Sequence, residues 1–201
     1  MSDQKRPYRM KRRAELEEET RQRITESAVA LHQELGPAQT SISAIADRAG
    51  VRRSTVYRHF PDEEALFAAC SSHFRSANPP PDPRTWSSIE NPAERTSTAL
   101  RGLYAFYRRT DAMYTNLLRD ELLVPPVQRR LRDFYGYLGS IQDDLVRGRG
   151  LRGRRAQHVR AAIGHALAFP TWRSLTHEQG LSDDDAVELM SRLVEHAGGG
   201  P

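Results

Sequence analysis

Between Thr40 and Phe60, TSISAIADRAGVRRSTVYRHF, one glycine separates an apolar-striped segment from a basic one. That juxtaposition restricts the local fold to two short helices joined by a sharp turn. Ile42, Ile45, Ala46 and Ala49 recur at i, i+3, i+4 and i+7, the stripe of a short amphipathic helix, and Thr40 and Ser41 precede it as N-cap candidates. Gly50 can adopt the left-handed conformation that ends one helix and redirects the chain into the next. The second helix is predicted to start near Val51 or Arg52, with Val51, Val56 and Phe60 facing inward. Two such helices, the second presenting cations and hydroxyls, have the geometry that sets a recognition helix in the DNA major groove. Arginine bonds guanine edges bidentately, whereas Ser, Thr, Tyr and His mostly hold phosphates. The expected DNA-contacting set is Thr40, Ser41, Arg52, Arg53, Ser54, Thr55, Tyr57, Arg58 and His59.

Charge supports the same partner. Residues 1–60 carry twelve Lys/Arg against eight Asp/Glu, so the whole net charge of +4 lies there and the rest of the chain balances. An excess of this kind suits a polyanion, because phosphate neutralisation with counterion release supplies most non-specific affinity. Residues 1–14 read as a disordered basic arm that could lie along phosphates or enter a minor groove. Glu15 to Leu35 is predicted as a long helix from Ile24, Ala28, Leu31 and Leu35, ending at Gly36 and Pro37. A further helix over Asp62 to about Ser76 places Leu66, Phe67, Cys70 and Phe74 on one side.

The segment AIADRAGVRRSTVYRHFPDEEALFAA resembles the DNA-binding domain of the TetR (tetracycline repressor) family. The IA..AGV turn, Tyr57, the His59–Phe60 pair and the EALFAA helix start stand in register, and the likeness covers roughly residues 16–74. Two positions depart from the family. Arg52 stands where Ser often caps the recognition helix, and Glu63 stands where Lys often meets a phosphate. The resemblance implies an all-α fold: an N-terminal three-helix DNA-binding domain with a helix-turn-helix, and a C-terminal helical-bundle domain for ligand binding and dimerisation. The expected boundaries are an arm at 1–14, the DNA-binding domain at 15–61 and the regulatory domain at 62–201, with a proline-rich exposed loop at 78–91.

The larger region reads as helices throughout. Pro92 to Arg109 and Asp111 to Leu123 are predicted as two helices, and Pro125–Pro126 open a long one carrying Val127, Leu131, Phe134, Leu138, Ile141 and Leu145. Arg147 to Arg155 reads as a solvated, glycine-broken loop. Ala156 to Thr176 is interrupted at Pro170, and Asp183 to His196 follows Ser182, its acidic residues suiting a helix start. By resemblance, the last two helices pair with a second subunit, with Ile163, Leu167, Val187, Met190 and Val194 as the candidate interface. A two-fold dimer would present two recognition helices to half-sites about 34–36 Å apart. Also by resemblance, the bundle binds a small molecule, with Tyr104, Tyr107, Tyr114, Phe134, Tyr137, His165, Phe169 and Trp172 as candidate lining. That aromatic set leans toward a small apolar or aromatic effector.

Other classes have little support. There is no GxSxG, HExxH or glycine-rich phosphate loop, so an enzyme is not expected. Cys70 is the only cysteine, which excludes an intrachain disulfide and reads as a small core residue. No metal or cofactor is expected. No run approaches a membrane span and the N-terminus lacks a signal-peptide core, so the chain is expected in the cytoplasm. The expected function is a DNA-binding regulator, a repressor that meets a palindromic operator as a homodimer and is released by its ligand. A ligand-independent repressor or architectural protein, or an activator, is the alternative.

Overall fold

The computed structural model describes residues 5–199, and side chains from Met10 onward. Among the described residues the chain is helical without strands: α1 (Lys5–Glu34), α2 (Ile42–Ala49), α3 (Arg53–His59), α4 (Glu63–Ala77), α5 (Pro92–Asp120), α6 (Pro125–Val146), α7 (Gly153–Leu167), α8 (Phe169–Arg173) and α9 (Asp183–Ala197). Short 3₁₀ turns cover Pro37–Gln39 and Pro83–Thr85, and Ser174–Glu178 forms one π turn. No helix among these residues is long and apolar enough to cross a membrane. The chain divides into two compact units, one of residues 1–77 with 115–128, the other of 78–114 with 129–201. The boundary expected after residue 61 thus falls after Ala77, because Leu66, Phe67 and Cys70 of α4 are buried in the first unit.

In the first unit, α1 begins at Lys5 rather than Glu15, which corrects the disordered arm; residues 1–4 lie outside the described residues. The physical reason is the absence of a breaker. Pro7 sits in the first turn, where no N–H is needed, and strong helix formers follow. Residues 10–19 are all exposed, and only from Ile24 does α1 bury a stripe, with Ala28, Val29 and Leu31. Ile24, Val29 and Leu31 each contribute about 1.5–3 kcal/mol on burial.

The C-terminal end of α1 is capped from a distance in sequence. Helix ends leave their last carbonyls without intrahelical partners. Asn116 Nδ2 donates to the carbonyls of His32 (3.1 Å) and Gln33 (2.8 Å), and Arg119 donates to that of Leu35 (2.7 Å). Asp120, buried, accepts from the Ala38 N–H at 2.9 Å. Gly36 sits beneath this clasp at φ +92°, and a Cβ there would lie 2.0 Å from Arg119 Nη2 and 2.5 Å from Asp120 Oδ2. Both backbone and space therefore require glycine.

The second unit has its core in α5 to α9. The two helices expected over 92–123 are one, α5, because Thr110 donates its hydroxyl to the Phe106 carbonyl (2.8 Å) and stays buried without breaking the turn. Pro170 ends α7 as expected, and its lack of an N–H leaves the Ala166 carbonyl without its helical donor. Thr171 N–H turns to Ala168, which frees Leu167 as well. Tyr104 and Tyr107 supply the missing donors, at 2.9 Å to Ala166 O and 2.6 Å to Leu167 O. Segment 78–91, expected as an exposed loop, is anchored by fully buried Trp86 and by Tyr137, whose hydroxyl donates to Pro81 O at 2.6 Å. The arginine-rich segment is not simply solvated either. Arg149, its side chain 6% exposed, bonds Glu195 at 2.8 Å and Thr96 Oγ1 at 2.7 Å.

Candidate nucleic-acid interface

The turn between α2 and α3 forms as its residues dictate. Ser41, not Thr40, caps α2, its Oγ accepting from Ala44 N–H at 3.1 Å. Thr40 is half-buried and directs its hydroxyl to the Gly36 carbonyl at 2.8 Å. Gly50 lies at φ 66°, ψ 36°, with its N–H on Asp47 O (3.2 Å) and that of Val51 on Ala46 O (2.9 Å), the paired bonds of a Schellman ending. The chain then extends for one residue, Arg52, and α3 begins at Arg53. Arg52 makes no side-chain cap bond, so its guanidinium is left to the solvent face.

Two buried residues orient α3. Val56 and Phe60 are each 1% exposed. Arg21 of α1 stacks its guanidinium 4.3 Å from the Phe60 ring centroid and donates to the His59 carbonyl at 2.8 Å, which caps the helix end. Arg52, Arg53, Ser54, Tyr57 and Arg58 are exposed, Tyr57 to 44%, and Thr55 is half-buried. The outward face therefore offers three guanidiniums and two hydroxyls on a rigid helix. Arg48, on α2, is instead engaged by Glu34 through two bonds of 2.5 and 2.6 Å.

His59 departs from expectation. Its Nε2 is buried and has no hydrogen-bond partner among the described residues. Burial first, then the cations of Arg58 and Arg21, lower its pKa, so the ring is held toward its neutral form. It supports the end of α3 rather than extending a charge outward. Cys70 is buried, and desolvation pushes its thiol up to about 12, which removes it as a nucleophile near neutral pH.

In the second unit, seven of the eight candidate ligand-lining side chains meet in one ring cluster. Tyr107 is the hub, with Phe169 at 5.2 Å and Trp172 at 5.8 Å between centroids, and Tyr114 packs on Phe134 at 4.8 Å. Tyr137 joins through Phe134 at 6.0 Å and Tyr104 through Tyr107 at 6.3 Å. Tyr104, Tyr107, Phe169 and Trp172 are buried, whereas Tyr114, Phe134 and Tyr137 are half-buried. Burial raises the pKa of Tyr107 well above its ordinary value and that of Tyr137 to about 12, so both remain phenols. His165 does not join the cluster; it lies exposed, with Nδ1 3.3 Å from Thr171 Oγ1. Trp172 donates from Nε1 to Asp183 at 2.8 Å, and Arg108 grips the same carboxylate at 2.6 and 2.7 Å.

The five residues expected at a dimer interface are placed otherwise. Ile163, Leu167, Val187, Met190 and Val194 are at most 4% exposed within the single chain, because α7 and α9 bury these stripes internally. The apolar side chains that α9 leaves outside are Leu189 and Leu193, 40% and 50% exposed. Among the described residues no cluster of three His, Cys, Asp or Glu is arranged to hold a metal ion. Among the buried polar residues that the sequence did not single out, Asn116 and Asp120 are recognisable only through a distant partner.

The geometry agrees with what the chain is similar to. Residues 24–70 match the model for bacterial regulatory proteins of the tetR family. The HTH-type transcriptional repressor Rv3405c of Mycobacterium tuberculosis is 29% identical over 182 residues, 89% of this chain and 90% of that protein. The HTH-type transcriptional regulator AcrR of Shigella flexneri is 43% identical over 51 residues, 25% of this chain and only 24% of that protein. The crystal structure of a TetR-like transcriptional regulator from Rhodococcus sp. RHA1 superposes with a TM-score of 0.63 at 18% identity, over 90% of this chain and 97% of that one. With an exposed, cation-bearing second helix behind a glycine turn, and the tetR-family signature over residues 24–70, the chain carries a DNA-binding domain of the TetR type and is a DNA-binding transcriptional regulator.

Proposed function

We propose that the protein is a cytoplasmic repressor that binds a palindromic operator as a homodimer and is released by a small apolar or aromatic effector. The observation that carries this reading is the outer face of α3, where Arg52, Arg53 and Arg58 are exposed beside Ser54 and Tyr57 while Val56 and Phe60 fix the helix from behind. In this reading Arg53 reads a base edge and Arg52, Ser54, Thr55, Tyr57 and Arg58 hold phosphates, joined by Ser41 at the start of α2, whereas Thr40 drops out because its hydroxyl donates to the Gly36 carbonyl. Selection of bound fragments from the source genome tests it: recovery of a palindrome with half-site centres about one helical turn apart is expected, and enrichment of no sequence over random DNA would defeat it.

Dimerisation moves to the outer stripes of the last helices. Leu189, Leu193 and His196 on α9 and Arg154, His158, Ala161 and His165 on α7 are exposed at helical spacing, an arrangement that suits a self-complementary contact. Sedimentation of Leu189→Glu with Leu193→Glu is expected to give monomers. For the effector, the half-buried rings of Tyr114, Phe134 and Tyr137 are the better lining, since Tyr104 and Tyr107 hold backbone carbonyls. The mutual packing of these rings also favours, as a second reading, a regulator that needs no ligand. A thermal-shift screen separates the two: a compound that raises the melting temperature and weakens operator binding supports the effector.

A further inference from the structure

The first unit contains a cavity of about 490 Å³ lined by His32 of α1, Pro37, Ala38 and Thr40 of the following turn, Ile42 and Ile45 of α2, Glu63, Leu66 and Phe67 of α4, and residues 123–126. Its size lies within the range of small-molecule sites, and most of its wall is apolar. One wall is an imidazole. His32 is 8% exposed, packs against Phe67 at 5.5 Å between centroids, and has no hydrogen bond to either ring nitrogen among the described residues. An imidazole at a cavity wall that has no partner within the protein is available to a bound molecule. Burial lowers its pKa to about 4, against the raising influence of Asp120, so near neutral pH it offers one donor and one acceptor. The only other ionisable lining group is the Glu63 carboxylate, which is exposed; no Lys or Arg lines the cavity.

We propose that this cavity is a small-molecule site inside the DNA-reading unit, separate from the ring cluster of the other unit. It takes a mainly apolar, neutral or cationic compound that donates a hydrogen bond. The imidazole accepts from the ligand, the Phe67 and leucine surfaces cover its apolar body, and Glu63 favours a positive end and repels a carboxylate. Because α2 and α4, the helices on either side of α3 in the chain, both line the cavity, occupancy also shifts the balance of conformations that present α3. That last effect rests on the operator reading above; the existence of the site does not.

Tyramine and benzoate are suitable probes, as aromatic compounds of similar size and opposite charge. Methyl NMR of the full chain is expected to show saturable shifts of Ile42, Ile45 and Leu66 with tyramine, and at least tenfold weaker binding of benzoate. His32→Phe is expected to weaken tyramine at least tenfold. Glu63→Lys, at an exposed position that leaves the core intact, should reverse the preference between the two probes. Tyramine shifts that are absent, or equal in the wild type and both variants, overturn the proposal. Titration of selected operator DNA, with and without saturating tyramine, reads the regulatory effect: a threefold or larger change in affinity is expected, and an unchanged affinity with NMR binding intact overturns that part. A wild type that binds tyramine but no operator fails the operator reading and leaves the site standing.

Discussion

The two units use polar side chains in opposite ways. At the start of α3 and along it, Arg52, Arg53, Ser54, Tyr57 and Arg58 are exposed, and the helix is held from behind by Val56 and Phe60. In the second unit the conspicuous polar tips, the hydroxyls of Tyr104 and Tyr107 and the indole N–H of Trp172, are all engaged internally, on two carbonyls released by Pro170 and on Asp183. A donor left exposed on a rigid frame is available to another molecule, whereas a donor that satisfies a buried carbonyl holds the fold together. The comparison teaches that polarity on a helix becomes evidence of function only after its internal partners have been identified.

Substitutions can break this contrast. The largest effect is expected for Trp172→Ala, which removes a fully buried indole and uncovers Asp183: a loss of about 3–5 kcal/mol in stability, measured by urea unfolding. Next come two changes of similar size and different readout. Tyr107→Phe strands the Leu167 carbonyl and should cost about 1–3 kcal/mol of stability. Arg53→Ala should leave unfolding unchanged, cost about 1–3 kcal/mol of operator affinity and relax preference at one base pair. Equal loss on operator and random DNA would remove its base-reading role.

A third test concerns His32. Its pKa is lowered from 6.5 to about 4 in the folded protein, so below pH 6.5 the unfolded chain binds the extra proton and stability falls as pH drops. Between pH 7 and pH 5 this contributes a loss of about 2 kcal/mol. His32→Gln should flatten that part of the profile, read as the difference between the two proteins' unfolding curves. The smallest effect is for Ser41→Ala, which removes the α2 cap at about 1 kcal/mol. Tyr57→Phe, by contrast, should weaken all DNA sequences alike without changing stability.

The helix-turn-helix was legible because its signals are local. A cap, a stripe at helical spacing and one glycine lie within a few residues of each other, and Ser41, Gly50 and Val56 behave as their neighbours dictate. What escaped the sequence depends on distant partners. Arg149 looked solvated because Glu195, 46 positions away, gives no local sign of pairing. Trp86 sits in a proline-rich stretch with no helical period, yet it is fully buried. Thr110 interrupted the apolar pattern of α5 because back-bonding to Phe106 hides its hydroxyl. The stripe of Val187, Met190 and Val194 was read correctly as buried and assigned to the wrong partner, since spacing fixes a face without saying what covers it.

The clasp on the end of α1 sets where the DNA-reading unit can be cut out. Asn116, Arg119 and Asp120 belong to its structure though they follow it by some forty residues or more in the chain. A graft that ends at Ala77 discards them, leaving three carbonyls and the Ala38 N–H uncapped around Gly36. A chimaera that aims to move this DNA-reading unit onto another protein must therefore carry the 115–128 segment with it, or supply a foreign helix end that bears the same three side chains.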